Sequence, residues 1–149
     1  MQRQAVDLFR DSDISLKKVR FYDIILSRKG AFMSENKLLD ISFEFAVAIV
    51  NLVDGVTAPK SPYMTDQLAR AGTSVGANIR EANYGQSKAD MLSKFEIAPK
   101  ECSETEGWLR LLFNTNAIDE EIYKKNRNLC GRIRRMLIAS CKTLKEGLK

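Results

Sequence analysis

Five polar residues invite a chemical reading first: Asn78, Glu81, Lys94, Glu101 and Glu104. Glu101 and Glu104 stand three apart, so on a helix they share a face, and Lys94 precedes them on the same segment. Two carboxylates beside a lysine are what general acid–base catalysis asks for. Nothing nearby supplies a nucleophile, a phosphate-binding loop or a metal-ligand spacing, and the chain has no histidine. That composition removes Ser-His-Asp and Cys-His catalysis, the usual general base near neutral pH and most zinc chemistry. The five residues read better as a polar network pinning one helix to the next. Such a network must be fully satisfied, because buried unpaired groups are costly. No catalytic residue, metal site or cofactor is expected.

Other candidate groups yield little chemistry. Cys102, Cys130 and Cys141 are odd in number, widely spaced and without a CxxC pattern, so they read as buried free thiols. Gly72 and Gly76 form GxxxG inside GTSVGANIRE. No Walker lysine follows and no strand precedes, which argues against nucleotide binding. Trp108 reads as a core or interface anchor. Phe113 and Tyr123 have rings that could stack on a base, but packing is their expected role.

Charge is more informative. The net charge of +5 conceals two unlike parts. Residues 33 to 121 carry 8 basic and 14 acidic side chains, whereas residues 122 to 149 carry 9 basic and one acidic, Glu146. At about 100° per residue, Lys124, Arg127, Arg134, Arg135, Lys142, Lys145 and Lys149 fall within an arc of roughly 100°. Ile122, Leu129, Ile133, Met136, Leu137, Cys141 and Leu144 take the other side. A face selected for solubility alone mixes signs, since Glu and Lys at i, i+4 support a helix. Here like charges repel along the face, which points to an anionic partner. Nucleic acid, and RNA in particular, is the expected ligand, bound without sequence preference and with strong salt dependence.

The elements that must position these residues are all helical. Leu38, Ile41, Phe45, Ala48, Ile49 and Leu52 recur at helical spacing, with Ser34 as the expected N-cap. DGVTAPKSPY reads as a connection, and the next helix is expected to begin after Thr65 or Asp66. Ser87 with Asp90 resembles a capping box opening a third helix. Pro99 lies inside that helix and predicts a kink rather than an end, because apolar spacing continues beyond it. FNTNAID marks the last turn, with Asp119 capping a helix from about Glu120 to Glu146. No segment shows strand alternation, so the expected fold is all-α, an antiparallel up-down-up-down four-helix bundle. Ala71, Gly72, Ser74, Gly76 and Ala77 would let a neighbouring helix come close.

At 149 residues the chain is read as one domain over 33–149. Residues 1–32 read as a translated leader or non-native extension before Met33, with an extra N-terminal helix as the competing reading. The start lacks a secretory pattern and no apolar run spans a membrane, so a cytoplasmic location is expected. The first helix also carries Phe43, Ala46, Val47, Val50 and Val53, making it apolar nearly all round. Such a helix is buried on more than one side, so it is expected to supply subunit contacts in a homo-oligomer.

QLARAGTSVGANIREANYGQSKADMLSKFEIAPKECSETEGWLRLL resembles the core motif of the bacterial four-helix-bundle family of 23S rRNA intervening-sequence proteins. The resemblance runs from about Leu38 to Leu144. It is strongest at Gln67, Leu68, Arg70, Ala71, Ser74, Ala77, Asn78, Glu81, Ala82, Ser87, Lys88, Lys94, Lys100, Glu101, Glu104, Thr105, Trp108 and Leu109. Pro99 and Gly107 depart from the pattern. The resemblance implies an antiparallel bundle that assembles into a ring, usually a pentamer, with no established enzymatic activity. Relatives in diversity-generating retroelements use a basic surface to bind nucleic acid and a reverse transcriptase, which adds a reverse transcriptase to the expected partners. A purely structural oligomeric adaptor binding such a protein partner is the alternative.

Overall fold

The computed structural model describes residues 36–56 and 62–148. The expectations for residues 1–32, for Ser34 and for Lys149 lie outside them. The described residues belong to one compact unit of four helices: α1 (Lys37–Gly55), α2 (Pro62–Asn83), α3 (Lys88–Asn114) and α4 (Glu120–Glu146). Each helix packs on its two neighbours, α1 on α2, α2 on α3, α3 on α4 and α4 back on α1, and the backbones of the diagonal pairs stay apart. This is the square, antiparallel bundle expected from four amphipathic stretches and short turns.

The helix ends follow local chemistry. Asn36 caps α1, its side-chain oxygen accepting from the N–H groups of Leu38 and Leu39 at 3.2 and 3.3 Å. α2 starts at Pro62, ahead of the expected Thr65 or Asp66. Pro62 suits the first helical position because its missing N–H would have had no partner there. The Thr65 hydroxyl donates to the Pro62 carbonyl at 2.7 Å, already inside the helix. Ser87 accepts from the Asp90 N–H, while Asp90 reaches back to the Gln86 N–H, both at 3.1 Å. Asp119 caps α4 through the Ile122 N–H at 2.8 Å. α3 runs on through Pro99 without ending.

The core is formed by Leu38, Ile41, Phe45, Ile49 and Leu52 of α1, Leu68, Val75 and Ile79 of α2, Phe95, Leu109 and Leu112 of α3, and Ile133 and Leu137 of α4. Fully burying a side chain of this size contributes roughly 1.5–3 kcal/mol. The small residues of α2 serve α1. A Cβ built on Gly72 would lie 2.8 Å from both γ carbons of Ile49, and one on Gly76 would lie 3.3 Å from the Ser42 carbonyl oxygen. The helix axes therefore come close only because these positions carry no side chain. Cys102 and Cys130 are buried and free, with the Cys130 thiol donating to the Cys102 carbonyl at 3.4 Å. The neighbouring Cys102 group and burial together push the Cys130 thiol well above the ordinary cysteine range.

Candidate nucleic-acid interface

The five-residue polar constellation is not one network. Lys94 and Glu81 pair between α3 and α2 at 2.6 Å, and Glu81 holds the lysine pKa above its ordinary value. Glu104 pairs instead with Arg70 of α2 at 3.2 Å and accepts from the indole N–H of Trp108 at 3.3 Å. Asn78 turns back along its own helix, donating to the Ser74 carbonyl at 2.9 Å. Among the described residues Glu101 takes part through its backbone carbonyl, which accepts from the Thr105 hydroxyl. The cross-helix pairs lie at the surface, Glu81 and Arg70 being 57% and 66% exposed. Exposed pairs of this kind contribute little to stability, because solvent and salt screen them. Trp108 is half-buried, with Tyr63 set against it edge to face.

The basic helix face divides into two sets. Lys124 pairs with Glu120 one turn earlier at 2.7 Å. Arg134 reaches across to Glu106 of α3 at 2.8 Å, and Lys145 reaches Glu96 of α3 at 2.8 Å. The Lys145 ammonium holds the Glu96 carboxyl below its ordinary pKa, and Glu96 in turn raises that of Lys145. Arg127, Arg135 and Lys142 form the second set: exposed, with no ion pair among the described residues. These three face solvent along one side of α4. Arg132, also exposed and unpaired among the described residues, stands next to this set. Its angular position just outside the arc concealed it in the sequence.

Phe113 and Tyr123 stack on each other, with ring centroids 4.8 Å apart and planes 7° apart. One face of each ring is thus already covered, as a packing role requires. On α1, Phe43 and Val50 remain 59% and 42% exposed, so the apolar outer side has no cover within the described unit. No described helix is long and apolar enough to cross a membrane.

Fold and surface together define an all-α, antiparallel four-helix-bundle protein whose last helix presents cations outward. Within that class, the chain belongs to the 23S rRNA-intervening sequence protein family, the match spanning residues 34–139. It is similar to the crystal structure of a protein of unknown function from the S23 ribosomal protein family of Bacteroides thetaiotaomicron. The two share 47% identity with a TM-score of 0.67, over 70% of this chain and 98% of that one. No curated protein matches.

Proposed function

We propose that this chain is a non-catalytic, cytoplasmic bundle that assembles with copies of itself, as a pentameric ring, and binds RNA through the outer side of α4. The observation that carries the proposal is the trio Arg127, Arg135 and Lys142, exposed on α4 and without an ion pair among the described residues. A family named for sequences that interrupt 23S rRNA is consistent with an RNA-related role. Association follows from α1: exposed Phe43 and Val50 extend an apolar side that water disfavours, and a second copy would cover it. Repeating the cationic side around a ring multiplies weak contacts into a strong one.

The test is titration of fluorescent RNA at low salt with the parent and with Arg127→Gln/Arg135→Gln/Lys142→Gln. The triple variant should bind more weakly, and its log–log salt slope should shrink by roughly 0.7 for each lost contact to a single strand. Equal binding by both proteins would remove α4 from the interface. A monomer by light scattering at micromolar concentration would remove the assembly. The second reading, a structural adaptor for a protein such as a reverse transcriptase, draws on the same exposed α1 side together with Tyr63, which is 59% exposed. That reading is favoured if the parent binds no RNA at low salt.

A further inference from the structure

The basic side of α4 is interrupted by an isoleucine. Ile138 is 59% exposed and falls between Arg135 and Lys142 along the helix. A single exposed isoleucine needs no explanation, but this one is part of a larger feature. An open groove of about 510 Å³ runs between α3 and α4, with Pro99, Ile138 and Cys141 as its apolar part. Lys142 and Lys145 stand along its edge, together with the carboxylates Glu96 and Glu146. Its volume lies in the range of roughly 300–1,000 Å³ typical of small-molecule sites. The Lys145–Glu96 pair at 2.8 Å fixes one wall, whereas Lys142 remains unpaired among the described residues.

We infer that this groove seats an unstacked base of single-stranded RNA whose phosphates follow Arg127, Arg135 and Lys142; the inference rests on the RNA-binding proposal above. Arg135 and Lys142 are seven residues apart, about 10 Å along a helix rising 1.5 Å per residue. A backbone held by both therefore passes Ile138 midway. A splayed base takes apolar contact on its face from Ile138 and Pro99 and presents amino or imino donors at its edge, which the Glu96 and Glu146 carboxylates accept. A duplex has no such base to offer, because its bases are stacked and paired, and the deep A-form groove excludes side chains. An acidic peptide matches the cations, yet it would bring its carboxylates against Glu96 and Glu146. The mixture of signs in the groove is what selects a nucleotide, whose anion and donor edge are separate.

Fluorescence anisotropy with four probes tests this: a short oligouridylate, an abasic strand of the same length, the corresponding duplex, and a helical peptide of glutamate and leucine. The parent should bind the oligouridylate more tightly than the abasic strand or the duplex. Ile138→Ser, at an exposed position and checked for folding by circular dichroism, should weaken oligouridylate binding by roughly five- to tenfold. The same change should leave duplex and abasic affinities and the salt slope unaltered, since no phosphate contact is lost. Equal binding of base-containing and abasic strands, or an unaffected Ile138→Ser variant, overturns the base pocket while the basic face stands. Absence of all RNA binding by the parent overturns both. Peptide binding that depends on Ile138, without RNA binding, makes the groove a protein-docking site and also overturns the inference.

Discussion

Along the α1–α2 seam the backbones lie so close that a methyl group on Gly72 would collide with Ile49, and one on Gly76 would press on the Ser42 carbonyl. The α3–α4 seam is closed differently. Cys102 and Cys130 meet inside it, Arg134–Glu106 and Lys145–Glu96 bridge its surface, and a groove opens beside Pro99. The first seam derives most of its order from shape, with one side-chain hydrogen bond, Asn36 to Asn83 at 2.8 Å, at its end. The second is held partly by charges that solvent can reach. The difference teaches where each can change: shape tolerates no added atom, whereas a charged seam can trade partners with a ligand.

Four substitutions or conditions sharpen that contrast. Gly72→Ala should have the largest effect. Overpacking costs about 1–3 kcal/mol, and the helix-propensity gain of about 1 kcal/mol offsets only part of it. The net loss, up to about 2 kcal/mol, should appear as a lower melting point. An unchanged or raised melting point would show that Ile49 yields, and the seam would not be shape-limited.

Glu106→Gln breaks the charged seam at one point. It should cost about 0.5–1 kcal/mol, as one partly exposed pair is lost. It should also strengthen RNA binding by releasing Arg134, so the two effects run in opposite directions in the same protein. Gly107→Ala is the control for the glycine argument. A Cβ there meets nothing within 4 Å, so this change should stabilise by up to about 1 kcal/mol, the propensity term alone.

The smallest expected effect is a pH dependence. Lys145 lowers the folded-state pKa of Glu96. The stabilisation from the pair is therefore complete above the ordinary carboxylate pKa and disappears as pH falls through the lowered value. Acid titration of the parent against Glu96→Gln should show the parent losing slightly more stability over that acidic window. Parallel curves would mean that the pair contributes nothing.

Much of the bundle could be read from the chain, and the misses have identifiable causes. Ser87 and Asp119 were recognisable because a capping residue works through its nearest neighbours alone. The start of α2 was misplaced because Pro62 looks like a breaker, yet proline is also favoured in a first helical turn. The cationic arc was visible as an angular pattern. Its division into paired and unpaired members was not, since Arg134 and Lys145 find their carboxylates on α3, and that depends on how two helices are rotated against each other. Ile138 went unnoticed for a simpler reason: an isolated apolar residue within a polar arc is read as noise until a neighbouring helix supplies Pro99. The constellation of Asn78, Glu81, Lys94, Glu101 and Glu104 misled in the opposite way, because residues sharing a helix face need not share partners.

The square arrangement, in which each helix backbone lies close to its neighbours and away from the diagonal one, has a consequence in time. Three of the four seams join consecutive helices, so most of the core can form between segments already near each other along the chain. Only the α4–α1 seam closes the full length of the bundle. Domains rich in such sequence-local contacts reach the native state in about microseconds to milliseconds. Here the α1–α4 contact has the greatest loop-closure entropy to overcome and should form last.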